Sequence, residues 1–290
     1  MNQNTLEQKL KNELKNKVVL VTGGAGSVGS GLVERLLQYP LKSLRVLDND
    51  ENALFRLKRL YNDHPKLRLF LGSICDSDRV EIAVNGVDIV FHLAAAKNIE
   101  ITEYNPIETI NTNINGIINL IKITIKNKPE KFINISTDKA ANPTTLYGST
   151  KQIAEQLASW ATANHTKFAS IRFGNIFKTR GNVFELWEEE AKNNKPLSIT
   201  NTKMERYYIE KDKAISWILK CFLLAKDGEI FVPKLKSFKM IDLANSISKK
   251  HKMIGSRYGE KMKEVLITEQ EKLIAKETEE MWVIKQHTRD

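Results

Sequence analysis

Two cysteines in 290 residues are too few for a disulfide framework, and Cys75 and Cys221 stand far apart without ligand-like neighbours. Both read as small buried hydrophobes. The five histidines are scattered and form no HExxH or comparable pair, so no metal site is expected. No apolar run approaches the roughly 18 to 20 residues that a membrane-spanning helix needs. The opening stretch Met1 to Lys17 is polar and charged and lacks the apolar core of a secretory signal, which makes the cytoplasm the expected compartment. Proline and glycine are sparse; there is no low-complexity linker and no long-period repeat. Charge of one sign is in excess, with a formal net charge of +10, but no aromatic-plus-basic run resembles an RNA-binding module. The excess is therefore read as attraction for a pyrophosphate-bearing small molecule, and nucleic acid is not expected as a partner.

What is present is enough apolar residue to bury a substantial core, 41% of the chain. Residues 1–16 form an extension in which Leu6, Leu10 and Leu14, four apart, predict an amphipathic helix. Val18–Thr22 is a short continuous apolar run, suited to a strand buried on both faces. Strands are then expected at Leu44–Leu47, Leu67–Leu71, Val87–Leu93, Lys131–Ser136 and Phe168–Phe173. Helices are expected between them at Gly31–Tyr39, Asn52–Leu60, Asp78–Val84, Pro106–Lys126 and Tyr147–Asn164. Such alternation predicts an α/β fold: a doubly wound, Rossmann-type parallel sheet over residues 17–175. Beyond residue 175 the rhythm breaks. Short strands near Leu197–Ile199 and Glu229–Val232 are expected, with helices at Phe184–Asn193, Lys211–Ala225 and Met240–Lys249. Residues 176–290 are read as mostly a smaller substrate-binding lobe over the carboxyl edge of the sheet, where ligands bind in open α/β folds.

Between the first strand and its helix stands Thr22–Gly23–Gly24–Ala25–Gly26–Ser27–Val28–Gly29. Gly23 suits a tight turn, Gly26 lets the backbone approach a pyrophosphate, and Gly29 lets helix and strand pack closely. Free amides at the helix start would bind the phosphates. Asp48 ends the second strand, where a carboxylate accepts both hydroxyls of an adenosine ribose. It repels a 2′-phosphate, and no arginine follows in Asp48–Asn49–Asp50–Glu51, which favours NAD. Arg56 and Lys58 leave NADP open.

Further on, Ser136–Thr137–Asp138–Lys139 ends the fifth strand, and Tyr147 and Lys151 form a YxxxK pair on the next helix. Positions i and i+4 share a helix face, which sets an ammonium near the phenol. A free tyrosine ionises near pH 10. The Lys151 charge and a positive nicotinamide ring are expected to lower that value and make Tyr147 a base toward a sugar hydroxyl.

With these motifs the chain resembles the polysaccharide-biosynthesis branch of the extended short-chain dehydrogenases, and within it the inverting UDP-N-acetylglucosamine 4,6-dehydratases. The matching segments include VLVTGGAGSVGS, HLAAAKNIEITEYNPIETINTNINGIINL, ISTDKAANPTTLYGSTK, IRFGNIFKTRGNV and GEIFVPKLKSFKMIDLANSI, spread over roughly residues 17–267. Two segments depart from the family. The usual MTRFWI reads Met204–Glu–Arg–Tyr–Tyr–Ile209, and the usual RPGEKxHE reads Arg257–Tyr–Gly–Glu–Lys–Met–Lys–Glu264.

The resemblance implies an internal redox cycle on a UDP-linked N-acetylhexosamine, without net consumption of cofactor. Tyr147 would take the C4 hydroxyl proton, Lys139 would act as base at C5, and Asp138 as acid toward the departing C6 hydroxyl. Burial and Lys151 are expected to keep Lys139 neutral. Tyr147, where retaining members tend to carry methionine, points to inversion at C5. Positions implied for the cofactor are Gly23, Ala25, Gly26, Ser27, Val28, Gly29, Asp48, Asn49, Asp76, Leu93, Ala94, Ala95, Lys97, Ser136, Tyr147 and Lys151. Lys97, Thr137, Asn175, Arg180, Arg206, Arg257 and Glu260 are implied for the sugar nucleotide. A homo-oligomer, dimer or higher, is expected.

Overall fold

The computed structural model describes residues 3–285 except 163, 164, 178 and 258. Helix α1 (Gln3–Leu14) leads into β1 (Val18–Thr22), α2 (Ser27–Leu37), β2 (Ser43–Asp48), α3 (Glu51–Leu60), β3 (Leu67–Leu71), α4 (Ser77–Val84) and β4 (Ile89–His92). Two short helices, α5 (Ile99–Tyr104) and α6 (Pro106–Ile110), precede α7 (Gly116–Asn127), β5 (Lys131–Thr137), α8 (Leu146–Ala161) and β6 (Lys167–Phe173). The expected end of the eighth helix, Asn164, lies outside the described residues. The remainder runs β7 (Asn175–Ile176), α9 (Val183–Lys192), β8 (Leu197–Ile199), β9 (Glu205–Ile209), α10 (Lys211–Leu224), β10 (Ile230–Pro233), β11 (Lys236–Lys239), α11 (Met240–Asn245), β12 (His251–Met253), α12 (Glu269–Ile274), β13 (Ala275–Glu277) and β14 (Met281–Ile284).

Nine strands form one sheet in the order β13-β14-β10-β6-β5-β4-β1-β2-β3. Pairing is parallel from β10 to β3; β14 and β13 close one edge antiparallel. All five residues of β1 are buried, because both faces of the sheet are covered. Val19 and Val21 pack with Leu32, Leu36 and Phe222 on one side, and Val18 and Leu20 with Ile117, Leu120 and Ala154 on the other. Leu10 and Leu14 seat α1 in the first of these layers, as their spacing predicts. The chain winds from β1 out to β3, then returns beside β1 with β4 and winds the other way. That reversal opens a crevice between the carboxyl ends of β1 and β4.

The long helix expected over Pro106–Lys126 is not continuous. Asn111–Asn115 is a π-helical turn, and Asn113 on it is buried. Its side chain donates to Ala96 O (2.9 Å) and Thr150 Oγ1 (3.0 Å) and accepts from Ala96 N (2.8 Å). The wider turn thus latches the loop after β4 to α8, a use of the π-bulge common at functional sites.

Beyond residue 175 the chain divides. The three-stranded sheet β11-β9-β7 and the pair β12-β8 build a lobe with its own core of Trp187, Met204, Tyr208 and Met240. By contrast β10, β13 and β14 return to widen the main sheet, and α10 packs on α2.

Candidate active site

A cavity of about 540 Å³ lies between the carboxyl edge of the sheet and the lobe. Val28 and Leu93 line one end, Ser136, Tyr147 and Lys151 the floor, and Arg206, Tyr208 and Glu264 the lobe side. Local chemistry positions each group. Gly23 has φ +67°, and a Cβ there would meet Ala94 N at 2.6 Å; at Gly29 a Cβ would lie 2.2 Å from Gly23 O. Only glycine allows the turn and the close start of α2. Asp48 stands at the end of β2 and accepts from Ala25 N (2.9 Å) and Asp50 N (3.1 Å), which aims its carboxylate at the glycine turn. These are the features a dinucleotide pyrophosphate and ribose require, so the residues present fit a nicotinamide cofactor. Asn49 is exposed beside Asp48. Asp76 caps α4 by accepting from Arg79 N, so its carboxylate is engaged in the helix start.

Thr145 caps α8 by accepting from Gly148 N, and Glu103 accepts from Leu146 N at 2.6 Å; together they hold the helix that carries Tyr147 and Lys151. Thr137 starts a single 3₁₀ turn, Asp138–Ala140, at the end of β5. There Lys139 Nζ donates to Asp138 Oδ1 at 3.0 Å, and Thr137 Oγ1 donates to the same oxygen at 3.1 Å. Asp138 is fully buried behind Lys139. Its Oδ2 has no hydrogen-bond partner, and neither does the buried Ser136 Oγ.

The electrostatics correct two expectations. Burial acts to lower Lys139, but Asp138, Glu264 and Tyr147 outweigh it and hold the ammonium above the usual lysine range, so Lys139 rests charged rather than neutral. Burial pushes the Tyr147 phenol up; the cation that opposes this is Lys139, not Lys151, and Asp138 adds to the rise. Lys151 is instead brought down to about 8 by burial, against the pull of Glu155.

Of the other residues implied by motif, Lys97, Asn175, Arg206, Arg257 and Glu260 all border the cavity. Arg206 donates to Glu205 O (2.8 Å) and lies 3.6 Å from Glu260, while Arg257 pairs with Glu100 at 2.9 Å. Arg180 sits elsewhere. Its backbone N donates to Ser27 Oγ (2.9 Å), its guanidinium to Ala25 O (2.8 Å), and Lys97 Nζ donates to Arg180 O (2.9 Å). These two cations therefore gather at the glycine turn. Glu264, buried among the lobe's polar wall and 3.2 Å from Lys261, was not singled out in advance, although it ends the 257–264 segment. The two departures from the family pattern meet each other: Lys263 Nζ pairs with Glu205 Oε2 at 3.1 Å.

A family model described as polysaccharide biosynthesis protein matches residues 19–286. The chain belongs to that family. It is 36% identical, over 92% of its length and 82% of the relative's, to a UDP-N-acetylglucosamine 4,6-dehydratase (inverting) of Campylobacter jejuni. It is 40% identical, over 96% and 88%, to an uncharacterized membrane protein of Methanocaldococcus jannaschii. A UDP-glucose 4-epimerase of Rickettsia canadensis is 32% identical over 95% and 84%. The solved structure of Pen from Bacillus thuringiensis superposes with a TM-score of 0.90 at 35% identity, covering 93% of this chain and 88% of that one. Among the described residues of this family member no helix is long and apolar enough to cross a membrane. The fold and the family together make this polysaccharide-biosynthesis protein an enzyme of the nucleotide-sugar dehydratase and epimerase kind.

Proposed function

We propose that the protein is an inverting 4,6-dehydratase of UDP-N-acetylglucosamine that works with NAD. The observation that carries the reading is the Lys139–Asp138 contact of 3.0 Å beside the YxxxK helix. A 4-epimerase needs only Tyr147 and Lys151; an acid and an amine in contact serve an elimination. When bound, the nicotinamide supplies the oxidation at C4 and the matching reduction at C6. Gly23, Gly26 and Asp48 hold its adenosine half, and Lys151 its second ribose.

Tyr147 would accept the C4 hydroxyl proton as its phenolate, which the Lys139 ammonium and a positive nicotinamide ring favour against the rise from burial. The resulting ketone acidifies C5–H. The resting pair holds one shareable proton, on Lys139. Its transfer along the hydrogen bond to Asp138 produces a neutral amine and a carboxylic acid without exchange with water. Lys139 then takes the C5 proton, the C5–C6 double bond forms, and the C6 hydroxyl leaves as water with the proton from Asp138. This step returns the pair to ammonium and carboxylate. A base and an acid of this kind each contribute about 10²- to 10⁴-fold.

The test is incubation with UDP-N-acetylglucosamine in D₂O, followed by NMR at early times. The expected product is the 4-keto-6-deoxy sugar with deuterium at C5 and the L-arabino configuration. A D-xylo first product would make the enzyme retaining. A C4 epimer that keeps its C6 hydroxyl would favour the epimerase reading, which the Rickettsia relative supports.

NAD is expected to bind more tightly than NADP, because Asp48 would face a 2′-phosphate with its own charge. Lys58 is turned to Asp63 at 3.4 Å, while Arg56 and Arg180 border a groove beside Ala25 and Ser27. Calorimetric titration with both cofactors checks this; equal or tighter NADP binding overturns it.

A second copy of the chain is the proposed partner. Tyr104 and Ile107 are 87% and 79% exposed on α5 and α6, and Ile153 is exposed on the adjoining α8, an apolar face of the kind that marks an interface. Sedimentation of the Ile107→Lys variant should show a loss of mass relative to the unsubstituted protein; a monomer in both samples rejects the proposal.

A further inference from the structure

Behind the cavity floor one guanidinium gathers three acceptors. Arg172 on β6 is 1% exposed. It donates to Glu155 from Nε (3.0 Å) and Nη2 (2.6 Å), to Glu271 from Nη1 (2.9 Å) and Nη2 (2.8 Å), and from Nη1 to Leu266 O (3.0 Å). The donors of the planar fork are all engaged. Glu155 is 0% exposed and lies on α8 one turn after Lys151 and two after Tyr147, on the same helix face. Glu271 is the N3 residue of α12, where it also closes a capping box with Thr268. The arrangement ties three distant parts of the chain: the catalytic helix, a central strand and the start of the last helix.

The stretch between these anchors is the lobe-side wall of the cavity. Gly259, Glu260, Lys261 and Glu264 all line it. At its far end Thr144 Oγ1 donates to Gly259 O (2.7 Å) and Lys261 Nζ to Ala141 O (3.2 Å), so this end is held on the turn that leads into α8. The near end is held by Arg172 at Leu266 and Glu271. The wall that would contact substrate is therefore fastened at one end to the turn before α8 and at the other, through Arg172 and Glu155, to α8 itself.

We propose that Glu155, Arg172 and Glu271 are positioning residues that lock this wall to the catalytic helix and fix the charge of Lys151. The inference rests on the nucleotide-sugar reading only in treating Lys151 as the working cation. Glu271 shares the Arg172 charge, which leaves Glu155 free to act on Lys151. Without Glu271, Arg172 bears on Glu155 alone, and the potential at Lys151 becomes more positive. The other titratable groups beside Lys151 are Tyr147, one turn back on its own helix, and His92 on β4. His92 is held at about 3 by burial and by Lys151, so it is neutral throughout the working range.

The sign follows. Burial has already brought Lys151 down to about 8, with Glu155 opposing the fall. Removing a carboxylate lowers it further, so the ammonium is lost at lower pH. The test uses whole protein with ¹³C-labelled lysine, the Lys151 signal being assigned by its loss in Lys151→Arg. In Glu155→Gln the midpoint should fall by about one pH unit, and in Glu271→Gln by about half as much, since one neighbouring charge is worth about a unit or more. Glutamine still serves the capping box, so the second variant keeps its helix start. The alkaline limb of kcat/KM should move down by the same amounts. An unchanged Lys151 midpoint in folded Glu271→Gln overturns the proposal, whether or not Glu155→Gln folds. The titration needs no substrate, so failure to turn over UDP-N-acetylglucosamine would reject the dehydratase reading and leave this result standing.

Discussion

Asp138→Asn and Lys139→Ala are each expected to cut water loss by about 10²- to 10⁴-fold, yet to fail at different bonds. Asparagine keeps the shape of the buried side chain but has no proton to give the C6 hydroxyl. It also removes the carboxylate that most strongly supports the Lys139 ammonium, so burial then favours the neutral amine. C5–H is still removed, and substrate recovered from D₂O should carry deuterium at C5 while no 4-keto-6-deoxy product appears. In Lys139→Ala the C5 base itself is gone, and neither exchange nor product should be seen. Both variants should bind nicotinamide as before, since the glycine turn and Asp48 are untouched. Undiminished turnover in both variants would remove the elimination from the mechanism; C5 exchange surviving in Lys139→Ala would move the base to another group, with Glu264 as the nearest buried carboxylate on the lobe side of Lys139.

Arg172→Leu is expected to destabilise the fold by about 3–5 kcal/mol, the cost of stranding a buried charge. Glu155 has 0% exposure and would lose its guanidinium partner; Glu271, with 17% of its side chain exposed, can turn in part to water. Changing Glu155 to Leu as well removes the stranded charge, so Arg172→Leu/Glu155→Leu should recover much of the loss, because apolar replacement of a buried pair is often near neutral. Urea unfolding at matched m-values reads the difference as a shift in midpoint. A single substitution within 1 kcal/mol of the unsubstituted protein would mean that water or another cation reaches Glu155.

Much of the fold was legible because its signals are local. Short apolar runs such as Val18–Thr22, bounded by turn residues and too short for a helix, suit strands covered on both faces, and Leu67–Leu71 and Leu197–Ile199 end where their flanking polar and turn residues say they should. The glycine turn is legible for the same reason: the positive φ of Gly23 and the close approach at Gly29 are demands that one residue type meets. The interrupted helix at Asn111–Asn115 was not, because nothing in the local pattern distinguishes a π turn from an α turn. Its cause is the pair of bonds from Asn113 to Ala96 and Thr150, 17 and 37 residues away. Strands β13 and β14 were not legible because each is short and their pairing is long-range: β14 lies antiparallel on β10, and β13 closes the edge on β14.

By itself the sequence determined that the chain alternates strand and helix, that a dinucleotide fits its first turn, and that Tyr147 and Lys151 share one helix face. Each of these depends on residues within one turn or strand of each other. Only the tertiary structure decided which charge stands beside which. It set Lys139, not Lys151, against Tyr147, left Lys139 charged between Asp138 and Glu264, and joined Glu155, Arg172 and Glu271 across 116 residues of chain. The reason is physical: backbone preference is written in neighbouring side chains, but the potential at a buried group is a sum over everything packed around it, and packing brings together what sequence distance keeps apart.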